Sequence, residues 1–192
     1  DGDGVLTEEE LQAALDSLGV KGIDEAMVHR IMATFDADRS GTIDIVELNP
    51  LLRTVQAFAK YDADKSGSID ITELREALRK LGLQQVGALD ASDVFRRYDA
   101  DENGSLDLAE FAALVRDMKV FVLFDTDNSG ALDADELQVA LLRLGLEMST
   151  EQTREILCAW DQDANGTLDL CEFTQLVNDV RAFMKFDTSG GR

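Results

Sequence analysis

The sequence predicts an all-α protein in which amphipathic helices alternate with short acidic loops. Five 12-residue segments repeat nearly the same pattern, beginning at Asp36, Asp62, Asp99, Asp125 and Asp161. Between these segments, apolar residues recur at the three- and four-residue spacing of a helix that buries one face. No apolar run approaches the roughly 18 residues that a membrane-spanning helix needs, so we expect no membrane span.

The charge of the chain is concentrated in these segments. Among 192 residues, 39 Asp and Glu stand against 18 Lys and Arg, for a net charge of −21. Outside the acidic positions that the five segments share, acids and bases nearly balance. The excess negative charge disfavours nucleic acid and anionic membrane surfaces as partners, because both must be met by positive charge. One His and two Cys are too few for a zinc site of four ligands.

Within each segment the same residue types occupy the same positions. Asp stands at positions 1, 3 and 9, Ser or Asn at 5, Gly at 6, Ile or Leu at 8 and Glu at 12. A sharply folded loop brings the oxygens of positions 1, 3, 5, 7, 9 and 12 around one hard cation, position 7 acting through its carbonyl. Gly permits the left-handed backbone of the bend. The bidentate Glu favours calcium over magnesium, which prefers a smaller octahedral shell.

These loops resemble those of the EF-hand family, which includes calmodulin and troponin C. The resemblance implies a tandem array of helix–loop–helix hands that binds Ca²⁺ reversibly, with paired loops joined by short β-bridges. The ligands it implies in the first complete loop are Asp36, Asp38, Ser40, Thr42 (through its carbonyl), Asp44 and Glu47. The other four loops supply, in the same order, Asp62, Asp64, Ser66, Ser68, Asp70 and Glu73; Asp99, Asp101, Asn103, Ser105, Asp107 and Glu110; Asp125, Asp127, Ser129, Ala131, Asp133 and Glu136; and Asp161, Asp163, Asn165, Thr167, Asp169 and Glu172.

The N-terminus fits the same register as these loops. Asp3, Gly4, Leu6 and Glu10 match positions 5, 6, 8 and 12 of a loop that lacks its first two residues. We call this partial loop loop 1 and the complete ones loops 2 to 6 (residues 36–47, 62–73, 99–110, 125–136 and 161–172). At the other end, residues 186–189 match an incoming helix and the start of a further loop. The pattern predicts that the chain is a piece of a longer array.

Two different spacings separate the loops. The stretch between loops 1 and 2 holds two apolar faces of helical spacing, formed by Leu11, Ala14, Leu15 and Leu18 and by Val28, Ile31, Met32 and Phe35. A turn near Gly19 and Gly22 separates them, and equivalent helix ends are predicted at Gly82 and Gly145. Ser149 with Gln152 predicts a capping box. Two loops joined in this way can fold side by side.

The shorter spacing predicts one continuous helix. Only residues 48–61 separate loop 2 from loop 3, and they contain no Gly and one apolar stripe, as do the residues between loops 4 and 5. A single helix there would hold the adjacent loops roughly 20 Å apart, so we pair loops 1 with 2, 3 with 4 and 5 with 6. The predicted domains are 1–61, 62–124 and 125–192, sharing helices as penta-EF-hand proteins do. Pro50 should kink the first shared helix.

Three functions fit this pattern. The first is a calcium sensor or calcium-responsive regulatory element, whose partners would be calcium ions and amphipathic helices of target proteins. The alternatives are a high-capacity calcium buffer and a regulatory module of a larger protein. No P-loop, nucleophile elbow or catalytic His pair is present, so we expect no enzyme in these residues. Cys158 and Cys171 are expected to be reduced thiols, which fits a cytoplasmic location.

Overall fold

The computed structural model describes residues 3–80 and 91–187, and this part of the chain is all-α, which confirms the predicted fold class. Its helices are α1 (Glu8–Ser17), α2 (Glu25–Phe35), α3 (Ile45–Tyr61), α4 (Ile71–Lys80), α5 (Ala91–Tyr98), α6 (Leu108–Phe124), α7 (Ala134–Arg143), α8 (Thr150–Trp160) and α9 (Leu170–Asp187). None of these described helices is both long enough and apolar enough to cross a membrane.

The loops pair as the spacing predicts. Position 8 of each loop forms an isolated antiparallel bridge with position 8 of its partner, in the pairs Leu6–Ile43, Ile69–Leu106 and Leu132–Leu168. Each bridge has two backbone hydrogen bonds of 2.7 to 2.9 Å, and all of these residues except Leu6 are buried. The apolar residue at position 8 therefore joins two loops and contributes to the core at the same time.

The long spacing folds into two helices joined by a tight turn. Leu18 caps α1, and Gly19 follows with φ +82° while the Val20 N–H donates to the Leu15 carbonyl at 3.2 Å. Gly145 ends α7 in the same way, with φ +86°. A left-handed residue after the last helical turn satisfies carbonyls that the helix leaves open, and Gly adopts it without strain. Gly82, the third predicted helix end, lies outside the described residues.

The predicted capping box at the start of α8 is confirmed. The Gln152 N–H donates to Ser149 Oγ at 3.3 Å, and the Ser149 N–H donates to Gln152 Oε1 at 2.9 Å. The helix thereby begins with two of its otherwise open backbone donors satisfied.

The short spacing forms single helices, as predicted. α3 runs without a break through Pro50, and α6 likewise connects loop 4 to loop 5. Pro50 removes one helical hydrogen bond, but apolar residues on the same helix, among them Leu51, Val55 and Phe58, are buried and hold it in place. The kink predicted at Pro50 stays a prediction.

Two compact units can be distinguished by their internal contacts. The first comprises Asp1–Leu78 and Phe95–Arg116, and its core includes an edge-to-face pair of Phe58 and Phe111 with ring centroids 5.6 Å apart. The second comprises Arg79–Val94 and Asp117–Arg192, and in it Phe173 packs edge-to-face on Phe121 at 5.9 Å. Aromatic pairs of this geometry stabilise a core beyond the area that they bury. The assignment of one domain to each loop pair stays a prediction.

In the first unit, the turn between α1 and α2 packs on loop 3. Lys21 Nζ donates to the Lys65 carbonyl at 2.6 Å. A Cβ atom added to Gly67 would lie only 2.8 Å from Lys21 Cβ, a separation that real structures essentially never show. Two features therefore favour glycine at position 67: its left-handed backbone (φ +90°) and the closeness of Lys21.

Gly67→Ala should destabilise the calcium-free protein by about 1 kcal/mol more than Gly104→Ala does. Both glycines occupy position 6 with a left-handed backbone, but a Cβ on Gly104 would meet nothing within 4 Å. Urea unfolding in chelator measures both losses, and Gly104→Ala corrects for the backbone strain that the two variants share. Equal losses would show that Lys21 does not constrain loop 3.

Candidate metal sites

The carboxylates of each complete loop converge on one point. At positions 1, 3 and 12 each side chain offers one oxygen, and these three oxygens lie within 4.8 Å of one another. The groups are Asp36, Asp38 and Glu47; Asp62, Asp64 and Glu73; Asp99, Asp101 and Glu110; Asp125, Asp127 and Glu136; and Asp161, Asp163 and Glu172. Like charges at this separation repel unless donors or a cation offset them.

Backbone N–H groups hold the position 1 carboxylate in place. In loop 2 the Ser40 N–H donates to Asp36 Oδ1 at 3.0 Å and the Gly41 N–H donates to Asp36 Oδ2 at 2.9 Å. The same two hydrogen bonds recur in loops 3 to 6 with lengths of 2.8 to 3.1 Å. The bend at Gly therefore orients donors toward the charge that the loop concentrates.

The glutamate at position 12 is anchored by both of its oxygens. In loop 2, Glu47 Oε1 accepts the Ala37 N–H at 2.7 Å and Glu47 Oε2 accepts the Asp44 N–H at 3.2 Å. Asp44 in turn caps α3, and the equivalent bonds recur in loops 3 to 6. Each outgoing helix thus begins with a capping arrangement that also turns the glutamate into the loop.

Positions 5 and 7 also face each other. Ser40 Oγ donates to the Thr42 carbonyl at 3.1 Å, and loops 3 and 5 repeat this contact. In loops 4 and 6 the side-chain oxygens of Asn103 and Asn165 accept N–H groups of position 7 at 2.8 Å. In each complete loop, the residues predicted as ligands at positions 5 and 7 therefore lie next to each other.

The partial loop 1 has the same local structure where it is described. The Val5 N–H donates to Asp3 Oδ1 at 3.1 Å, and Thr7 with Glu10 forms a capping box at the start of α1. Gly4 at position 6 is left-handed with φ +90°. The register predicted for the N-terminus is confirmed for these residues.

Sequence reasoning missed a second left-handed position in each complete loop. Position 4 has φ between +55° and +59° at Arg39, Lys65, Glu102, Asn128 and Ala164. Only Asn favours this conformation among these residue types, so the sequence holds no consistent signal for it. The loop accepts this strain because the turn directs the following N–H groups at the position 1 carboxylate.

Arg30 is a second residue that the sequence did not reveal. Its guanidinium donates from Nη2 to Asp107 Oδ2, and its Nη1 lies 3.7 Å from Glu110 Oε1. Arg30 belongs to α2, between loops 1 and 2, whereas both carboxylates belong to loop 4. Only the tertiary packing of the first unit brings them together.

The carboxyl groups of different loops differ in the direction of their pKa shifts. Burial raises the pKa of Glu110, Glu172 and Asp169 above their ordinary values. At Asp36, burial also acts upward, but the N–H donors of Gly41 and Ser40 outweigh it and lower the pKa. Glu110 and Glu172 are only 5% and 6% exposed. Burial also raises the pKa of Asp125 in loop 5. Loops 4, 5 and 6 therefore each contain a carboxyl whose pKa is raised, whereas in loop 2 the pKa of Asp36 is lowered.

The donor chemistry fits a hard divalent cation. Carboxylate, hydroxyl, amide and carbonyl oxygens surround the point where the carboxylates meet, and neither cysteine belongs to the converging groups. Calcium takes six to eight oxygen ligands of these kinds, with a bidentate carboxylate among them.

Comparison with known families decides the assignment. Models of the EF-hand domain pair match residues 2–53, 52–116 and 115–177. The chain belongs to the EF-hand family. Calcium is accordingly the ion that it binds, and the oxygen-lined loops suit that ion.

The EF-hand chain is similar to calcium-binding proteins of plants. It is 46% identical to the probable calcium-binding protein CML13 of Oryza sativa subsp. japonica over 59 residues. These residues cover 31% of this chain and 35% of that relative. It is 37% identical over 81 residues to calcium-dependent protein kinase 33 of Arabidopsis thaliana, covering 37% of this chain and 16% of the kinase. The matched stretch thus spans about a third or less of these relatives' length.

A solved structure of similar architecture is that of a homolog of programmed cell death 6 protein from Leishmania major Friedlin. It shares 26% sequence identity with this EF-hand chain and has a TM-score of 0.51, covering 74% of this chain and 86% of that one.

Acidification should remove calcium from loops 4 and 6 before it removes calcium from loop 2. Protons compete with the cation for each carboxylate, and the raised pKa values of Glu110 and Glu172 let protons compete at higher pH. At loop 2 the lowered pKa of Asp36 delays this competition. The amide resonances of Gly104, Gly166 and Gly41, followed by ¹⁵N NMR in calcium from pH 7 downward, report each loop separately. Simultaneous loss from all three loops would contradict this order.

Proposed function

We propose that this chain is a calcium sensor or calcium-responsive regulatory element in which loops 2 to 6 each hold one ion. The observation that carries the proposal is the convergence of three carboxylates within 4.8 Å in each of these loops. The proposed ligands are the residues predicted from the sequence at positions 1, 3, 5, 7, 9 and 12. A bound ion would supply the positive charge that offsets the repulsion among these carboxylates.

The shared helix α3 supports sensing over simple storage. Asp44 caps its start, Glu47 stands in its first turn, and Asp62 caps its end. These residues are proposed ligands of two different loops, 2 and 3. A continuous helix moves as one body, so a rearrangement of Glu47 in loop 2 displaces the residue that begins loop 3. The three loop pairs, in the predicted domains 1–61, 62–124 and 125–192, would then respond together.

Exposed apolar residues on α7 support an amphipathic helix as partner. Val139 and Leu142 are 53% and 56% exposed, and their spacing places them on one face of the helix. The net charge of −21 favours a partner with basic residues beside its apolar face. Apolar contact and opposite charge together define the class of helix that such sensors accept.

A synthetic helix with Leu on one face and Lys on the other should bind in calcium and not in chelator. Val139→Ser with Leu142→Ser should weaken this binding about tenfold, since two apolar side chains leave the contact. Calorimetry measures the peptide affinity, and an unchanged calcium affinity of the double variant shows that its loops are intact. Equal peptide binding in calcium and in chelator would contradict a sensor.

A high-capacity buffer is the alternative that the five near-identical loops favour. A buffer binds calcium with little opening, whereas a sensor exposes apolar surface. Fluorescence of an apolar dye, followed through a calcium titration, separates the two roles. A sensor increases the fluorescence as the loops fill, and a buffer leaves it flat. Magnesium at the same ionic strength is the control for screening of the acidic loops.

A regulatory module of a larger protein is the second alternative, favoured by the partial similarity to a calcium-dependent kinase. We assign no catalytic activity to this chain and attribute any such activity to another part of a parent protein. A cytoplasmic location also remains a proposal, based on the exposed thiol of Cys158, which is not part of a disulfide.

A further inference from the structure

Arg30 connects the first loop pair to a proposed calcium site of the second. It lies on α2, and its guanidinium reaches Asp107 and Glu110, at positions 9 and 12 of loop 4. The side chains of these acids are 14% and 4% exposed, while that of Arg30 is 41% exposed. A partly buried ion pair of this kind is stronger than one on an open surface, because water screens it less.

The guanidinium contacts oxygens that the loop needs for another purpose. Glu110 Oε1 lies 3.7 Å from Arg30 Nη1 and belongs to the carboxylate proposed to grip calcium with both oxygens. The contact to Asp107 likewise uses a proposed ligand side chain. A guanidinium and a calcium ion beside the same two carboxylates would repel each other.

One hydrogen-bond donor of the Arg30 guanidinium is left without an acceptor in this arrangement. Its Nε is buried and has no hydrogen-bond partner. A buried donor without an acceptor favours any alternative arrangement in which water reaches it. Release of the guanidinium from loop 4 would therefore satisfy a group that the observed arrangement leaves open.

This arrangement distinguishes loop 4. Within residues 3–80 and 91–187, no lysine or arginine forms such an ion pair with the carboxylates of loops 2, 3, 5 or 6. The first loop pair also contacts the second at loop 3, but there Lys21 Nζ binds the Lys65 carbonyl rather than a carboxylate. Hydrogen bonds from Ser66 lower the pKa of Asp64 in loop 3, and the nearby charge of Lys21 adds to this, but among the described residues Lys21 forms no ion pair there. Arg30, in contrast, contacts two proposed ligand carboxylates of loop 4 directly.

We propose that Arg30 competes with calcium at loop 4 and leaves Asp107 and Glu110 when that loop fills, which frees α2 from the second loop pair. The proposal rests on the proposed function, because it requires loop 4 to be a calcium site. By thermodynamic reciprocity, a contact that weakens calcium binding is itself weakened by calcium to the same degree. Loop 4 then reports calcium to the first loop pair through the position of α2.

The test compares Arg30→Gln with Arg53→Gln in the full chain. Both variants remove one positive charge, and Arg53 is an exposed residue of α3. The amide of Gly104 reports calcium in loop 4 and that of Gly67 reports calcium in loop 3, by ¹⁵N NMR. Arg30→Gln should tighten binding at loop 4 by about three- to tenfold. Loop 3 in this variant, and both loops in Arg53→Gln, should change less than about twofold.

Unchanged or weaker binding at loop 4 in Arg30→Gln would overturn the competition. A second measurement needs no variant of Arg30: in the native chain, its Nε–H resonance should shift in step with the Gly104 amide as calcium is added. An Nε–H signal that stays constant while Gly104 shifts overturns the proposal and leaves the calcium site intact. A Gly104 amide that ignores calcium overturns the proposal together with the calcium assignment of loop 4.

Discussion

Repulsion among crowded carboxylates explains how the loops and the adjoining helix ends are built. Each complete loop brings three carboxylate oxygens within 4.8 Å of one another, and the backbone is arranged to tolerate it. Left-handed residues at positions 4 and 6 direct N–H groups at the position 1 carboxylate, and the capping residues at position 9 orient the glutamate at position 12. Where helices enter and leave loops 2 to 6, they therefore meet charged residues whose geometry suits a divalent cation.

The same constraint makes neighbouring loops depend on each other. The shared helix α3 carries Glu47 in its first turn and Asp62 at its end, and apolar residues at position 8 join loops in pairs. Arg30 adds a link of a different kind, because it supplies a fixed positive charge to a loop that otherwise concentrates negative charge. We propose that the continuous helices and the Arg30 ion pair are the routes by which one filled loop affects another.

The sequence predicted what depends on local spacing and missed what depends on tertiary packing. The loops, the pairing of loop 3 with loop 4, and the continuous α3 follow from residue types at fixed intervals, so one chain suffices to predict them. The contact of Arg30 with Asp107 joins residues far apart in the chain, and no interval in the sequence encodes it. The left-handed backbone at Ala164 was also missed, because alanine gives no indication of it.

The most direct test of the central claim is the number of calcium ions bound per chain, measured by titration calorimetry of protein that has first been stripped with chelator. We expect five ions, one for each loop in which the carboxylates converge. Glu→Gln at position 12 of any one complete loop should remove one ion from the count, because it takes away a charged bidentate ligand. A titration that shows no bound calcium, or a count that this substitution leaves unchanged, would show that the converging carboxylates are not calcium sites.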